Sequence, residues 1–210
     1  MSQRGKFISL EGGEGVGKST QLAALQDALR GRGLSVICTR EPGGSPGAEA
    51  IRNLLLEGEE TRWNPRAEAL LFAAARADHI EKSIQPALER GEWVLSDRFL
   101  DSSLAYQGEA GGLGIDAVRD LHRFGSLDFL PDRTLVLILD SADGAARARS
   151  RDGTSGDRIG SRPPTYHAAV EAGFRTLAAH EPGRVKLVDA SGSAATVTTR
   201  LLYALGDLLP

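Results

Sequence analysis

The sequence predicts an α/β protein, a five-stranded parallel sheet with helices on both faces. Five short apolar runs, Phe7 to Leu10, Leu34 to Thr39, Trp93 to Ser96, Thr134 to Asp140 and Val185 to Val188, are each flanked by glycine or charge and read as buried strands. Longer helix-like patterns separate them. Strands alternating with helices make a parallel sheet covered on both sides. At roughly 150 residues per domain, 210 residues make one domain, and neither repeat nor linker divides it.

After the first strand, Ser19 to Arg30 carries Leu22, Leu25 and Leu29 at helical spacing. A long helix opens at Asn64-Pro65, with Asn as cap and Pro in the first turn. At about 100° per residue, Leu70, Ala74, Ala77, Ile84 and Leu88 form one stripe read as core-facing. Phe72 and Arg76 fall roughly 200° to 240° round from Leu70 and point elsewhere. They could stack on and hydrogen-bond to a base, or form a second packing face or dimer contact. The least structured stretch is Gly144 to Pro164. The one cysteine, Cys38, excludes an internal disulfide and reads as a small buried hydrophobe.

Composition narrows the function. With 41% hydrophobic and 25% charged residues the chain matches soluble globular proteins. No apolar run approaches the roughly 20 residues a membrane span needs, nor does the N-terminus resemble a signal peptide, so a cytoplasmic address is expected. A net charge of −3 argues against nucleic acid as partner. Yet Arg147, Arg149, Arg151, Arg158 and Arg162 face only Asp152 and Asp157, a basic segment that is either a polyanion site or a solvated loop.

Gly12-Gly13-Glu14-Gly15-Val16-Gly17-Lys18-Ser19 fits the phosphate-loop pattern G-x-x-x-x-G-K-S/T between a strand and a helix. Glycines let backbone N–H groups converge on phosphate oxygens, and the following helix turns its positive end toward them. Lys18 is expected to bridge the outer phosphates of a nucleoside triphosphate and Ser19 to ligate Mg2+, with Asp97 as a magnesium partner at the end of the third strand. The ATP-binding set is Gly12, Gly13, Glu14, Gly15, Val16, Gly17, Lys18, Ser19 and Thr20. The expected fold is thus the P-loop NTP hydrolase type. Two classes compete: a kinase with an acceptor pocket, and a nucleotide-driven switch or binding module. A GTPase switch usually carries Asn-Lys-x-Asp, but Asn53 and Asn64 precede Leu and Pro.

The third strand runs into Ser96-Asp97-Arg98-Phe99-Leu100-Asp101-Ser102-Ser103-Leu104-Ala105-Tyr106-Gln107-Gly108. This stretch resembles the thymidylate kinase signature, in which D-R-F/Y/H is followed by a serine four residues after the arginine and then A-Y-Q-G. Thr39-Arg40-Glu41-Pro42-Gly43-Gly44, Phe72 with Arg76, and the arginine-rich segment before Asp157-Arg158 match in order and spacing, spanning residues 6 to about 190. The resemblance implies transfer of the γ-phosphoryl of ATP to dTMP, giving dTDP for dTTP synthesis. A kinase for another nucleoside monophosphate or deoxynucleoside is the alternative, and an ATP-dependent binding protein the alternative of another class.

By resemblance, Phe72 stacks on thymine and Arg76 bonds its exocyclic oxygen. Arg98 and Arg40 clamp the acceptor phosphate, Ser102 and Ser103 serve phosphate and base edge, Tyr106 lies under the sugar and Gln107 completes the substrate set. Glu14 binds the acceptor's 3′-hydroxyl. Because Gly15 follows Glu14, the catalytic arginine must come from a mobile lid, about 144–164, as in bacterial enzymes: Arg151 first, Arg149 second, beside Lys18 and Arg98. Gly160 stands where the family usually has glutamate, and Glu171 where it often has a basic residue. Relatives also form homodimers through helices flanking the core, which the helix opening at Asn64 is compatible with.

Overall fold

The computed structural model describes residues 4–139 and 158–210. In chain order these form β1 (Phe7–Gly12), α1 (Lys18–Arg30), β2 (Val36–Arg40), α2 (Pro46–Leu56), α3 (Pro65–His79), α4 (Gln85–Glu89), β3 (Trp93–Asp97), α5 (Leu100–Ser103), α6 (Ile115–Ser126), β4 (Arg133–Ile138), α7 (Pro164–His180), β5 (Val185–Asp189) and α8 (Ala194–Ala204). A π-helical turn, Ile80–Ile84, joins α3 to α4, and another, Leu104–Ala110, continues α5.

All five strands pair in parallel in the order β2-β3-β1-β4-β5, the predicted fold class. Successive strand residues face opposite sides, so one buried cluster gathers Phe7, Val94, Val136 and Val185 with α4, α7 and the second π turn. The other gathers Ile8, Leu10, Leu95, Leu135 and Leu137 with α1 and α8. β1 is central and buried on both faces, with Ser9 and Glu11 the polar members of the face that carries Phe7. Asn64 caps α3 by accepting the Ala67 N–H at 2.9 Å, and Pro65 occupies the first turn.

Two expectations are corrected. Cys38 is exposed, because β2 is an edge strand and only part of it is covered. Leu70, at 56% exposure, and Ala74 face outward, while Ile84 and Leu88 are buried. A uniform 100° step fails here because the π turn at 80–84 holds more residues per turn than an α-helix and re-phases everything after it. The inward face of α3 is instead Glu68, Ala69, Ala75, Arg76 and His79. Among the described residues, no helix is long and apolar enough to cross a membrane.

Candidate active site

The carboxyl ends of β1, β2 and β3 open on one crevice, where parallel α/β sheets characteristically bind ligands. β1 delivers the glycine loop. Gly12 has φ of 131°, and a Cβ there would stand 2.5 Å from the Leu137 carbonyl oxygen, so only glycine closes this turn. Gly17, at φ of 93°, leads into α1 without any side-chain cap, leaving first-turn amides for a phosphate. Lys18 Nζ donates to the Gly12 and Gly13 carbonyls at 3.1 and 2.7 Å. Burial, with Arg98 adding to it, pulls the Lys18 ammonium down to about 8. Ser19 Oγ donates to Asp97 Oδ2 at 3.4 Å.

β3 delivers Arg98 in the left-handed region, at φ of 70°. Three bonds hold this turn: Arg98 N–H to Leu10 O at 2.9 Å, Ser96 Oγ to Arg98 O at 2.7 Å, and Phe99 N–H to Glu11 Oε1 at 2.8 Å. Arg98 Nη2 then reaches Glu14 Oε1 at 2.6 Å, and Nη1 reaches Gly12 O and Ser102 Oγ at 3.0 and 3.1 Å. Its guanidinium lies 4.9 Å from the Tyr106 ring centroid. Glu11 is fully buried and accepts the Ser102 hydroxyl; burial, with Asp101 nearby, pushes it up to about 8. Although burial raises Glu14, Arg98 and Lys18 bring it below the ordinary carboxylate range.

Between loop and α3 lies a cleft of about 560 Å³ including its open mouth, walled by Glu14, Phe72, Arg76, Arg98, Ser102, Ser103, Tyr106 and Gln107. Arg76, in the cleft wall, is nearly fully buried: Nε donates to Glu41 Oε2 at 2.8 Å and Nη2 to Ser103 Oγ at 2.7 Å and Phe99 O at 3.3 Å. Its Nη1 makes no hydrogen bond among the described residues. The cleft wall therefore carries a cation beside the glycine loop, two aromatic rings and a second guanidinium with a directional donor.

The family model for thymidylate kinase matches residues 10–201. The chain belongs to the thymidylate kinase family. It is 59% identical to a thymidylate kinase of Rhizorhabdus wittichii over 98% of this chain and 99% of that one. With that of Gluconobacter oxydans it shares 48% over 100% and 98%, and with that of Bradyrhizobium diazoefficiens 46% over 100% and 92%.

Against the thymidylate kinase signature, three residues sit differently from a simple reading of the motif. Arg40 is outside the cleft wall, in an exposed ion pair with Glu49 at 3.2 Å. Ser102 and Ser103 are engaged by Glu11 and Arg76 rather than facing the cleft with idle hydroxyls. Gln107 donates to Glu68 Oε1 at 2.9 Å, and Glu68 Oε2 accepts from Arg158 and Arg162 at 2.6 and 2.7 Å. Arg149 and Arg151 lie outside the described residues, as does most of the 144–164 segment. Gly160 O accepts from His167 Nε2 at 3.2 Å.

Sequence reading missed Glu11, Glu41, Glu68, His79 and Arg52. Arg52 lines the cleft and donates to Pro42 O at 2.6 Å. A carboxylate ending an otherwise apolar strand was the available signal for Glu11. For Glu41 it was its place inside the quoted Thr39 to Gly44 motif. Magnesium fits the oxygen pair Ser19 and Asp97, since this ion typically takes one or two protein oxygens and completes its shell with phosphate and water.

Proposed function

We propose that the cleft is the acceptor site of an ATP-dependent dTMP kinase, with the donor's phosphates on the glycine loop. The observation that carries this reading is that one cleft brings together Arg98 beside the glycine loop, the rings of Phe72 and Tyr106, and Arg76, whose Nη1 has no hydrogen bond among the described residues. A thymidine monophosphate offers a counterpart to each: a dianion, a sugar and a base edged with carbonyls. Glu14, beside Arg98, is placed for the sugar's 3′-hydroxyl, and Tyr106 for its ring face.

The acceptor phosphate is already an anionic nucleophile, so the protein needs no strong general base. Arg98 orients the acceptor with its planar fork, and Lys18 neutralises the donor's outer phosphates. Ser102 supports Arg98 from behind. Ser19 and Asp97 would hold magnesium, which when bound supplies charge neutralisation across the donor phosphates. Arg151, then Arg149, is our choice for the arginine that meets the moving phosphoryl group, within a single domain, 1–210, whose lid is about 144–164.

A homodimer is supported by an apolar strip on one side: Leu70 and Ala74 on α3, with Phe124 and Leu127 at 90% and 88% exposure beside them. Gly125 of α6 faces α3, where a Cβ would stand in ordinary contact 3.8 Å from the Ala77 Cβ. The family's soluble chemistry supports a cytoplasmic location.

The test of the assignment is Arg98→Ala. The account expects kcat/KM for dTMP to fall at least a hundredfold while ATP binding stays within threefold. Unchanged turnover, or equal loss of ATP binding, contradicts it.

A further inference from the structure

The Thr39 to Gly44 motif has residues that phosphate binding leaves unused, and the fold joins them into a buried chain. Thr39 Oγ1 and His79 Nε2 share a hydrogen bond of 2.7 Å. His79 Nδ1 donates to Glu41 Oε1 at 3.0 Å, and the other oxygen of the same carboxylate accepts from Arg76 Nε at 2.8 Å. Arg76 Nη2 then ends on Ser103 Oγ. His79 is fully buried, Arg76 is 3% and Glu41 6% exposed, so these bonds are shielded from competing water.

Gly44 supplies an independent observation. Its φ is 86°, and a Cβ there would fall 2.2 Å from His79 Nε2 and 2.4 Å from Thr39 Oγ1. The backbone at Gly44 thus packs directly on the Thr39–His79 bond, and its own groups are fixed by Glu49 Oε1 on the N–H at 3.0 Å and Ser83 Oγ on the carbonyl at 2.6 Å. Any side chain at Gly44 would displace the Thr39–His79 pair.

A guanidinium is a rigid fork: fixing Nε and Nη2 fixes the direction of Nη1. That one idle donor belongs to a residue lining the cleft. A donor held there accepts a base carrying a carbonyl and rejects one carrying an amino group, since two facing donors leave both buried groups unpaired. We propose that Glu41, held by His79 and Thr39, is a positioning residue that aims Arg76 into the cleft and thereby sets the preference for carbonyl-bearing over amino-bearing pyrimidine monophosphates. This rests on the reading that Arg76 faces the acceptor base, and the test keeps the two apart.

The measured quantity is the ratio of kcat/KM for dTMP to that for dCMP, with KM for ATP as control. Glu41→Ala lowers the ratio at least thirtyfold, chiefly through dTMP, with KM for ATP within twofold. Glu41→Gln, which keeps an acceptor oxygen for Arg76 Nε, stays within about fivefold of the unaltered protein. Thr39→Val, at the far end of the chain, lowers the ratio at least threefold. If Arg76→Ala collapses the ratio while Glu41→Ala leaves it within threefold, the proposal falls and the base reading stands. If Arg76→Ala also leaves it unchanged, both fall. Should Glu41→Ala not fold, Thr39→Val decides, and an unchanged ratio there overturns the proposal.

Discussion

Arg98 donates from Nη2 to Glu14 Oε1 at 2.6 Å, tying the end of β3 to the acidic member of the glycine loop. Glu14 is about half exposed, so the pair is worth well under a buried one, about 0.5–1 kcal/mol. Glu14→Gln is therefore expected to raise KM for dTMP about two- to fivefold with a smaller change in KM for ATP. Initial-rate kinetics against each substrate check this; a change confined to ATP contradicts it.

Gly12 and Gly13 are adjacent but not equivalent. Gly12 has positive φ and backbone close by, whereas a Cβ on Gly13 would meet nothing within 4 Å. Gly12→Ala should destabilise the fold by more than about 2 kcal/mol, and Gly13→Ala by less than about 0.5 kcal/mol. Denaturant unfolding of the pair decides, and equal effects refute the distinction.

Glu68 holds two arginines and Gln107 at once, with Arg158 fully buried against it. Glu68→Ala leaves that guanidinium without its partner carboxylate, so a loss of about 3–5 kcal/mol is expected. Glu68→Gln, which retains acceptor and shape, should cost less than half as much. A loss below about 1 kcal/mol for Glu68→Ala would show that the cluster contributes little.

His122 is buried, donates from Nε2 to Phe129 O at 2.8 Å, and burial, with Arg76 adding to it, draws it from 6.5 to about 4. A neutral imidazole that bonds a carbonyl must donate, so Nε2 carries the proton. As pH falls from about 6.5 to about 4, the unfolded chain takes up the proton first and stability drops. His122→Gln should remove that component. The stability difference between the two proteins therefore shifts against the histidine form on going from pH 7 to pH 4.5; a difference independent of pH contradicts the assignment.

Phe124→Glu places a charge in the apolar strip beside α3. If the proposed dimer forms through this strip, sedimentation velocity shows twice the monomer mass for the unaltered protein and the monomer mass for Phe124→Glu; equal masses for the two contradict it.

The sheet was legible because two-sided burial leaves an unmistakable trace: five apolar runs, with both faces of β1 fully covered. The glycine loop and Arg98 were legible because each has a fixed spacing around an element end. What periodicity could not convey was phase. The π turn at Ile80–Ile84 re-phases α3 against α4, so the stripe through Leu70 was assigned to the core and is exposed. Edge position was equally invisible, and Cys38 followed it into solvent. The supporting carboxylates Glu11, Glu41 and Glu68 were missed for a related reason: each is buried by partners 35 to 94 residues away, and no local pattern announces such pairings.

The most direct measurement is ADP formation from ATP and magnesium with dTMP, dUMP, dCMP, dGMP, AMP or thymidine offered separately to the purified protein. The account predicts a rate with dTMP well above every other acceptor, thymidine failing because it brings no phosphate for Arg98. A rate with dTMP no higher than the background without acceptor, while ATP still binds, would contradict it.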